Sequence, residues 1–332
     1  MARFRPSRVL ALVLAASAMT AAAAGCGSDD GDDTSSSARP APPASEFPAT
    51  QGRTLEQVLG AAGGEGPVVS PAARVLRLGE NRFPFGVFTV EREQISDAEV
   101  AIYAAPGGLG GRAIGPFPAR IDDLETEDAF RARSTADDPD AATVAYVSDV
   151  DLPRPGKWAF AALLREGDSY AASLLPTPSL VGEFDDVPGP GDRAPTVSTP
   201  TVDDVPDVSE IDTRVPPSSL HDEDFADVLG SKPIVLLFAT PALCQTRVCG
   251  PVVDVAEQVK REYGDRVAFI HQEVYVDNDL DKGVRPQMRA FELPTEPWLF
   301  VIDRDGVIST AIEGPFGVAE LDAAVSRVAD PA

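Results

Sequence analysis

The chain has 332 residues, with 28 Lys or Arg against 53 Asp or Glu, for a formal charge of −25. Acidity on that scale argues against nucleic-acid binding, because phosphates would be repelled, and against attachment to an anionic membrane by charge. Less a leader and linkers, the length leaves room for two domains of ordinary size.

The first 25 residues read as a signal peptide: Arg3, Arg5 and Arg8, an apolar run from Val9 to about Ala24, then Ala23, Ala24 and Gly25 directly before Cys26. The run is too short and too rich in Ala for a good membrane span. Small residues before a cysteine resemble the lipobox of bacterial lipoproteins, in which that cysteine becomes the first mature residue and carries lipid. The resemblance implies a lipid anchor on Cys26 and an extracytoplasmic location at the cell membrane. Residues 26–53, rich in Asp, Ser, Ala and Pro, are expected to form a flexible tether.

Residues 54–181 show short strand-like runs near 74–78, 85–90, 99–104, 143–147, 157–164 and 169–174, broken by Gly- and Pro-containing turns. This pattern predicts a small all-β domain, and the segment around Trp158 resembles the late strands of immunoglobulin-like sandwiches. Trp158 is expected as a core anchor. No chemistry is assigned to this domain. Residues 182–217, with prolines at 188, 190, 195, 200, 206, 216 and 217, are expected to form a linker dividing two folded regions.

Residues 218–330 have a different rhythm. Ser219 is placed to cap a helix through about Leu229, and the run at 234–239 has no polar alternation, as in a parallel strand buried on both faces. The cysteine segment follows, then a helix stopped by Gly264, a strand at 267–270, a short helix at 286–291, strands at 298–302 and 307–312, and a last helix at 318–328. The predicted order is β, α, β, α, β, β, α.

That order, with Phe238, Ala239, Thr240, Pro241, Ala242, Leu243 and Cys244 directly after a buried strand, resembles the thioredoxin superfamily, in particular its extracytoplasmic, cytochrome-maturation-type branch. Gly191, Asp192, Arg193, Ala194 and Pro195 resemble the segment that opens those domains. The segment from Glu296 and Pro297 to Gly306 resembles their cis-proline loop, strand and turn. The resemblance covers the last third of the chain. It implies an α/β thioredoxin-like domain behind the all-β one, with Cys244 as attacking thiolate, Cys249 as resolving thiol, Pro297 as the cis-proline and Pro294 as its competitor. Arg247 is near enough in sequence to assist the thiolate. Neither metal nor cofactor is implied, and the partner would be a protein thiol or disulfide.

The spacing departs from the family. Four residues separate Cys244 from Cys249 where the family has two. In a regular helix residues five apart lie about 8.6 Å apart between Cα atoms, whereas a disulfide needs less than about 7 Å. A bonded pair therefore requires Cys244 to lie outside the helix. A second alignment makes Cys249, followed by Gly250 and Pro251, the family's first cysteine, at the cost of an insertion after the strand and a helix short by about a turn. Pro241 occupies the position where peroxidases of the superfamily carry a threonine, so peroxide reduction is not expected. The two histidines, His221 and His271, do not fit the spacing of copper-delivering relatives and are expected to be structural. Two readings remain open: thiol-disulfide exchange, or a non-enzymatic scaffold with a structural disulfide.

Overall fold

In the structure, a computed structural model, residues 38–175 and 179–329 are described. Cys26, the leader and the first part of the expected tether lie outside them.

Residues 38–53 are not free chain. Arg39 pairs with Ile121 through both backbone groups, Phe47 is buried, and Tyr103 and Tyr170 donate their hydroxyls to the carbonyls of Pro48 and Glu46. The prolines deny this segment a place in a sheet, yet its carbonyls find donors and its one large apolar side chain finds a core. Thr54 then caps α1 (Leu55–Leu59) in a reciprocal pair with Gln57.

The β-rich half contains β1 (Gly64–Glu65), β2 (Val68–Pro71), β3 (Gly79–Phe88), β4 (Glu99–Pro106), β5 (Ile114–Asp123), α2 (Arg133–Ala136), β6 (Val144–Leu152), β7 (Gly156–Glu166), β8 (Ser169–Leu174) and β9 (Ser179–Val181). Eight strands run in the order β1, β8, β7, β4, β5, β6, β3, β2, with β9 also on β7. All pairs are antiparallel except β1 with β8.

Alternate residues of β4 and β7 explain how the sheet closes over itself. Val100, Ile102, Ala104, Trp158, Phe160 and Ala162 meet Phe83, Phe85 and Tyr146 from the far end of the sheet in one core. Trp158 is buried there, its indole N–H donated to the Arg154 carbonyl. The intervening residues Ala101, Tyr103, Ala161 and Leu163 face the opposite way, under Phe47 and α1. Strand β5 makes the corner: residues 114–118 pair with β4 and 119–123 with β6. Its prolines, 116 and 118, hid it from sequence patterning, and they sit where the strand changes partner. Residues 74–78, expected as a strand, are a connection instead, because the Arg74 and Val75 amides are donated to the Glu313 carboxylate.

The second half contains α3 (Phe225–Val228), β10 (Ile234–Phe238), α4 (Cys249–Tyr263), β11 (Ala268–Gln272), α5 (Pro286–Ala290), β12 (Trp298–Ile302), β13 (Ile308–Glu313) and α6 (Val318–Ala329). Their sequence is the expected thioredoxin-like order. The sheet runs β11, β10, β12, β13, parallel at the first pair and antiparallel at the other two. Strand β10 is apolar throughout because each face has its own cover. Val235 and Leu237 pack with α4 and α6, and Ile234, Leu236 and Phe238 pack with Phe225, Met288 and Phe291. The expected helix from Ser219 is absent; Ser219 donates its N–H and hydroxyl to the Glu257 carboxylate, and only Asp224, whose carboxylate accepts the Ala226 N–H, starts the short α3.

The stretch 182–217 does not hang between the halves. Val187 and Ala194 enter the second core, Arg193 bridges Val307 beside β13, and Asp212 and Arg214 are buried. Its prolines preclude helix and sheet interior but not a packed, extended course. Contacts also cross directly. Both guanidinium groups of Arg82 and Arg120 reach Glu320 at 2.8 Å, and the loop between β5 and β6 lies along α4. There Glu127 N–H meets Gln258, Ala132 N–H meets Asp254, and Arg261 pairs with Glu127. All described residues belong to one compact unit.

Candidate functional site: a buried pair of thiols

Strand β10 ends at Phe238, and the chain turns at once: the Leu243 and Cys244 amides both bond the Thr240 carbonyl. Cys244 therefore sits on a tight turn, outside any helix. Arg247, with φ of 60°, breaks the path a second time, and the helix starts at Cys249. The helix mouth is thus at Cys249, five residues after the cysteine that the resemblance makes the attacking thiolate. The reason is local, since a left-handed residue cannot continue an α-helix. Cys249 is the first residue of α4, as the second alignment has it, while Cys244 occupies the loop above.

Both cysteines are free thiols. Their environments pull them apart. The Cys249 thiol donates to Cys244, the Thr246 hydroxyl lies 3.3 Å from its sulfur, and the backbone N–H groups of Val248 and Cys249, at the open end of α4, point to it. These donors, led by the Cys249 thiol, outweigh burial and bring Cys244 from its ordinary 9.0 down to about 6. Cys249 is sealed from solvent, and burial together with its donation to Cys244 holds its thiol well above the usual range. Cys244 keeps a sliver of exposure, 7%.

The Glu296–Pro297 peptide is cis, whereas the bond before Pro294 is not. Sequence reasoning passed over Glu296 itself. Burial first, and then the charge of Cys244, push its carboxyl from 4.5 up to about 7. Its one signal in the sequence was a carboxylate directly before Pro297. Arg247 does not serve the thiolate in the way its proximity suggested: its guanidinium turns outward to Asp138 at 2.9 Å, and its carbonyl accepts the Ala142 N–H. The β-rich half thereby holds the cysteine loop from outside. Thr135 of α2 stands against Gly250, where an added Cβ would lie 2.9 Å from its hydroxyl.

His221 and His271 come together with Asp212, which sequence spacing gave no reason to connect. The three are buried, and Asp212, His221 and His271 are the residues here that could hold a metal ion. His221 lies ahead of α3 rather than in a helix, and His271 lies in β11.

No protein-family model matches the chain, and no curated protein does. Among solved structures it is similar to a thiol:disulfide interchange protein of the thioredoxin family from Chlorobium tepidum TLS, at 23% identity over 42% of this chain and 97% of that one, with a TM-score of 0.30. It is also similar to a thioredoxin-like superfamily protein at 19% identity, over 34% of this chain and 90% of that one, with a TM-score of 0.27.

Proposed function

We propose that the chain carries out thiol-disulfide exchange through Cys244 and Cys249. One observation carries this reading: two adjacent thiols are driven to opposite protonation states, with the acidic one partly accessible and the other sealed beneath it. A staple has no need of such asymmetry, whereas exchange requires a nucleophile and a protected second thiol.

Cys244 thiolate attacks one sulfur of a partner disulfide. The partner's S–S bond breaks, a mixed disulfide forms, and the first partner sulfur leaves as thiolate and takes up a proton. Cys249 then loses its proton to a base and attacks Cys244 Sγ, forming the Cys244–Cys249 bond and releasing the second partner sulfur. The partner gains two electrons and the cysteine pair loses two. Glu296, coupled electrostatically to both sulfurs and titrating at about 7, is suited to receive the Cys249 proton.

With a disulfide-bearing protein substrate, Cys249→Ser is expected to accumulate a mixed disulfide through Cys244, and Cys244→Ser to accumulate none. The reduction potential of the pair should fall among exchange-active couples, roughly −120 to −270 mV. A bond below about −300 mV that traps nothing would identify a structural staple on a binding scaffold.

We also propose that the protein lies outside the cytoplasm, held at the membrane by lipid on Cys26, with an immunoglobulin-like β-domain between anchor and redox domain. The leader and the small residues before Cys26 support the anchor. Mass spectrometry of the mature protein should find a lipid-bearing Cys26 as its first residue. An intact Met1, or a cut elsewhere, would refute the anchor and leave the thiol chemistry untouched.

A further inference from the structure

Three buried side chains converge behind the cysteine loop and take no part in the exchange steps. Asp212, His221 and His271 are each no more than 1% exposed. Asp212 Oδ2 lies 3.2 Å from His221 Nε2 and 3.6 Å from His271 Nδ1, and the three donor atoms all fall within 4.8 Å of one another. A tetrahedral zinc ion with bonds of about 2.0–2.1 Å has ligand-to-ligand edges of about 3.3 Å. Both edges lie near that length; 3.2 Å is also the length of a hydrogen bond, whereas 3.6 Å is too long for one.

Two further features point the same way. His271 Nε2 lies 3.1 Å from the Ala239 carbonyl, which can only accept, so Nε2 carries a proton. Nδ1, the nitrogen that faces Asp212, is left buried with no hydrogen-bond partner. A ring fixed by a carbonyl on one nitrogen, with the other nitrogen bare, is the usual posture of a metal-ligating histidine. The carboxylate is fixed likewise: the Ser218 N–H and hydroxyl are both donated to Oδ2 at 2.6 Å, and the Arg214 N–H to Oδ1 at 2.8 Å. The buried Glu273 carboxylate, coupled to both imidazoles and held by Thr213, supplies a second negative charge.

We propose that Asp212, His221 and His271 bind a divalent ion of the zinc class, pinning the 212–221 segment to the end of β11 next to the cysteine loop. Two nitrogens and one carboxylate oxygen suit zinc and leave a fourth position open. The rival occupant is a proton, which would make Asp212 and His271 a buried ion pair.

The test uses the full chain carrying Cys244→Ser and Cys249→Ser, which removes thiolates as competing ligands. After treatment with a chelator, zinc is titrated in competition with a chromophoric chelator, and cobalt(II) is added to a second sample. One equivalent of zinc, tetrahedral cobalt bands without a sulfur charge-transfer band, and at least 100-fold weaker binding in His271→Gln are expected. Should His271→Gln fail to fold by far-UV circular dichroism, His221→Gln takes its place. Absence of stoichiometric binding, or binding unchanged by the folded histidine variant, overturns the proposal.

Discussion

The two cysteines are chemically identical in the chain and unlike in the fold, and the difference is measurable. Alkylation of reduced protein by a small reagent should modify Cys244 alone, with a midpoint near pH 6, and reach Cys249 only on unfolding. Cys249→Ala removes the largest of the donors and should move that midpoint up by a unit or more; a midpoint left near 6 would mean that the helix end alone suffices. Stability follows the same groups. Cys244 has a depressed folded pKa, so its thiolate adds stability as pH rises from about 6 to 9, and that contribution is lost as pH falls through 6. Glu296 acts oppositely, because its raised folded value removes stability as pH climbs from 4.5 to about 7. The denaturation midpoint of reduced wild type should accordingly gain on that of Cys244→Ser between pH 6 and 9. Much of this site was legible. The cysteines follow a buried strand, and Pro297 stands nine residues before Gly306. What sequence could not supply was direction: that Arg247 turns away from the sulfur toward Asp138, 109 residues earlier, or that Asp212 joins two histidines.

Helices and strands are legible in the sequence where the pattern is long and apolar, and not where a polar contact decides. Strands β10 and β12 and helix α6 could be placed to within a residue or so, since burial on both faces leaves little choice of residue type. Strand β5 could not, because its prolines forbid it as a central strand and only its change of partner makes room for them. Ser219 has the chemistry of a cap, but Glu257 of α4 claims it first. Close approach between elements is as informative as pairing. At Gly317, just ahead of α6, an added Cβ would lie 2.4 Å from the Asp123 carbonyl at the end of β5. No real side chain fits there without moving backbone. Gly317→Ala is expected to cost about 1–3 kcal/mol in denaturant unfolding. The same change at Gly107, where an added Cβ meets nothing, should cost no more than its positive φ of 76° demands, about 1 kcal/mol.

For the whole molecule, the contacts across 182–217 decide what unfolds with what. Arg82 and Arg120 converge on Glu320, the Glu313 carboxylate accepts two amides from the β-rich half, and Asp254 of α4 is held between Arg214 and Ala132. These charges are largely buried, so losing a partner costs far more than a surface pair is worth. Calorimetry should therefore give one transition rather than two. Limited proteolysis should spare 182–217, despite its prolines, until the whole protein unfolds. Glu320→Ala strands two arginines at once and is expected to lower stability by a few kcal/mol, or to split the transition into two. Composition had pointed to a linker there because proline content reports what a segment cannot form, and is silent about what it can lean on.

The grip of Arg82 on Glu320 spans 238 positions of the chain. A ribosome delivers the arginine long before the glutamate, so the β-rich half, complete by Val181, must wait with the surface that meets α6 bare until Glu320 has been made. Contacts this distant in sequence form late and slow the final assembly. The thiol pair, drawn from neighbouring residues, needs no such delay. A message that ended a few codons before Glu320 would thus yield a chain whose chemistry is encoded in full and whose two halves never lock.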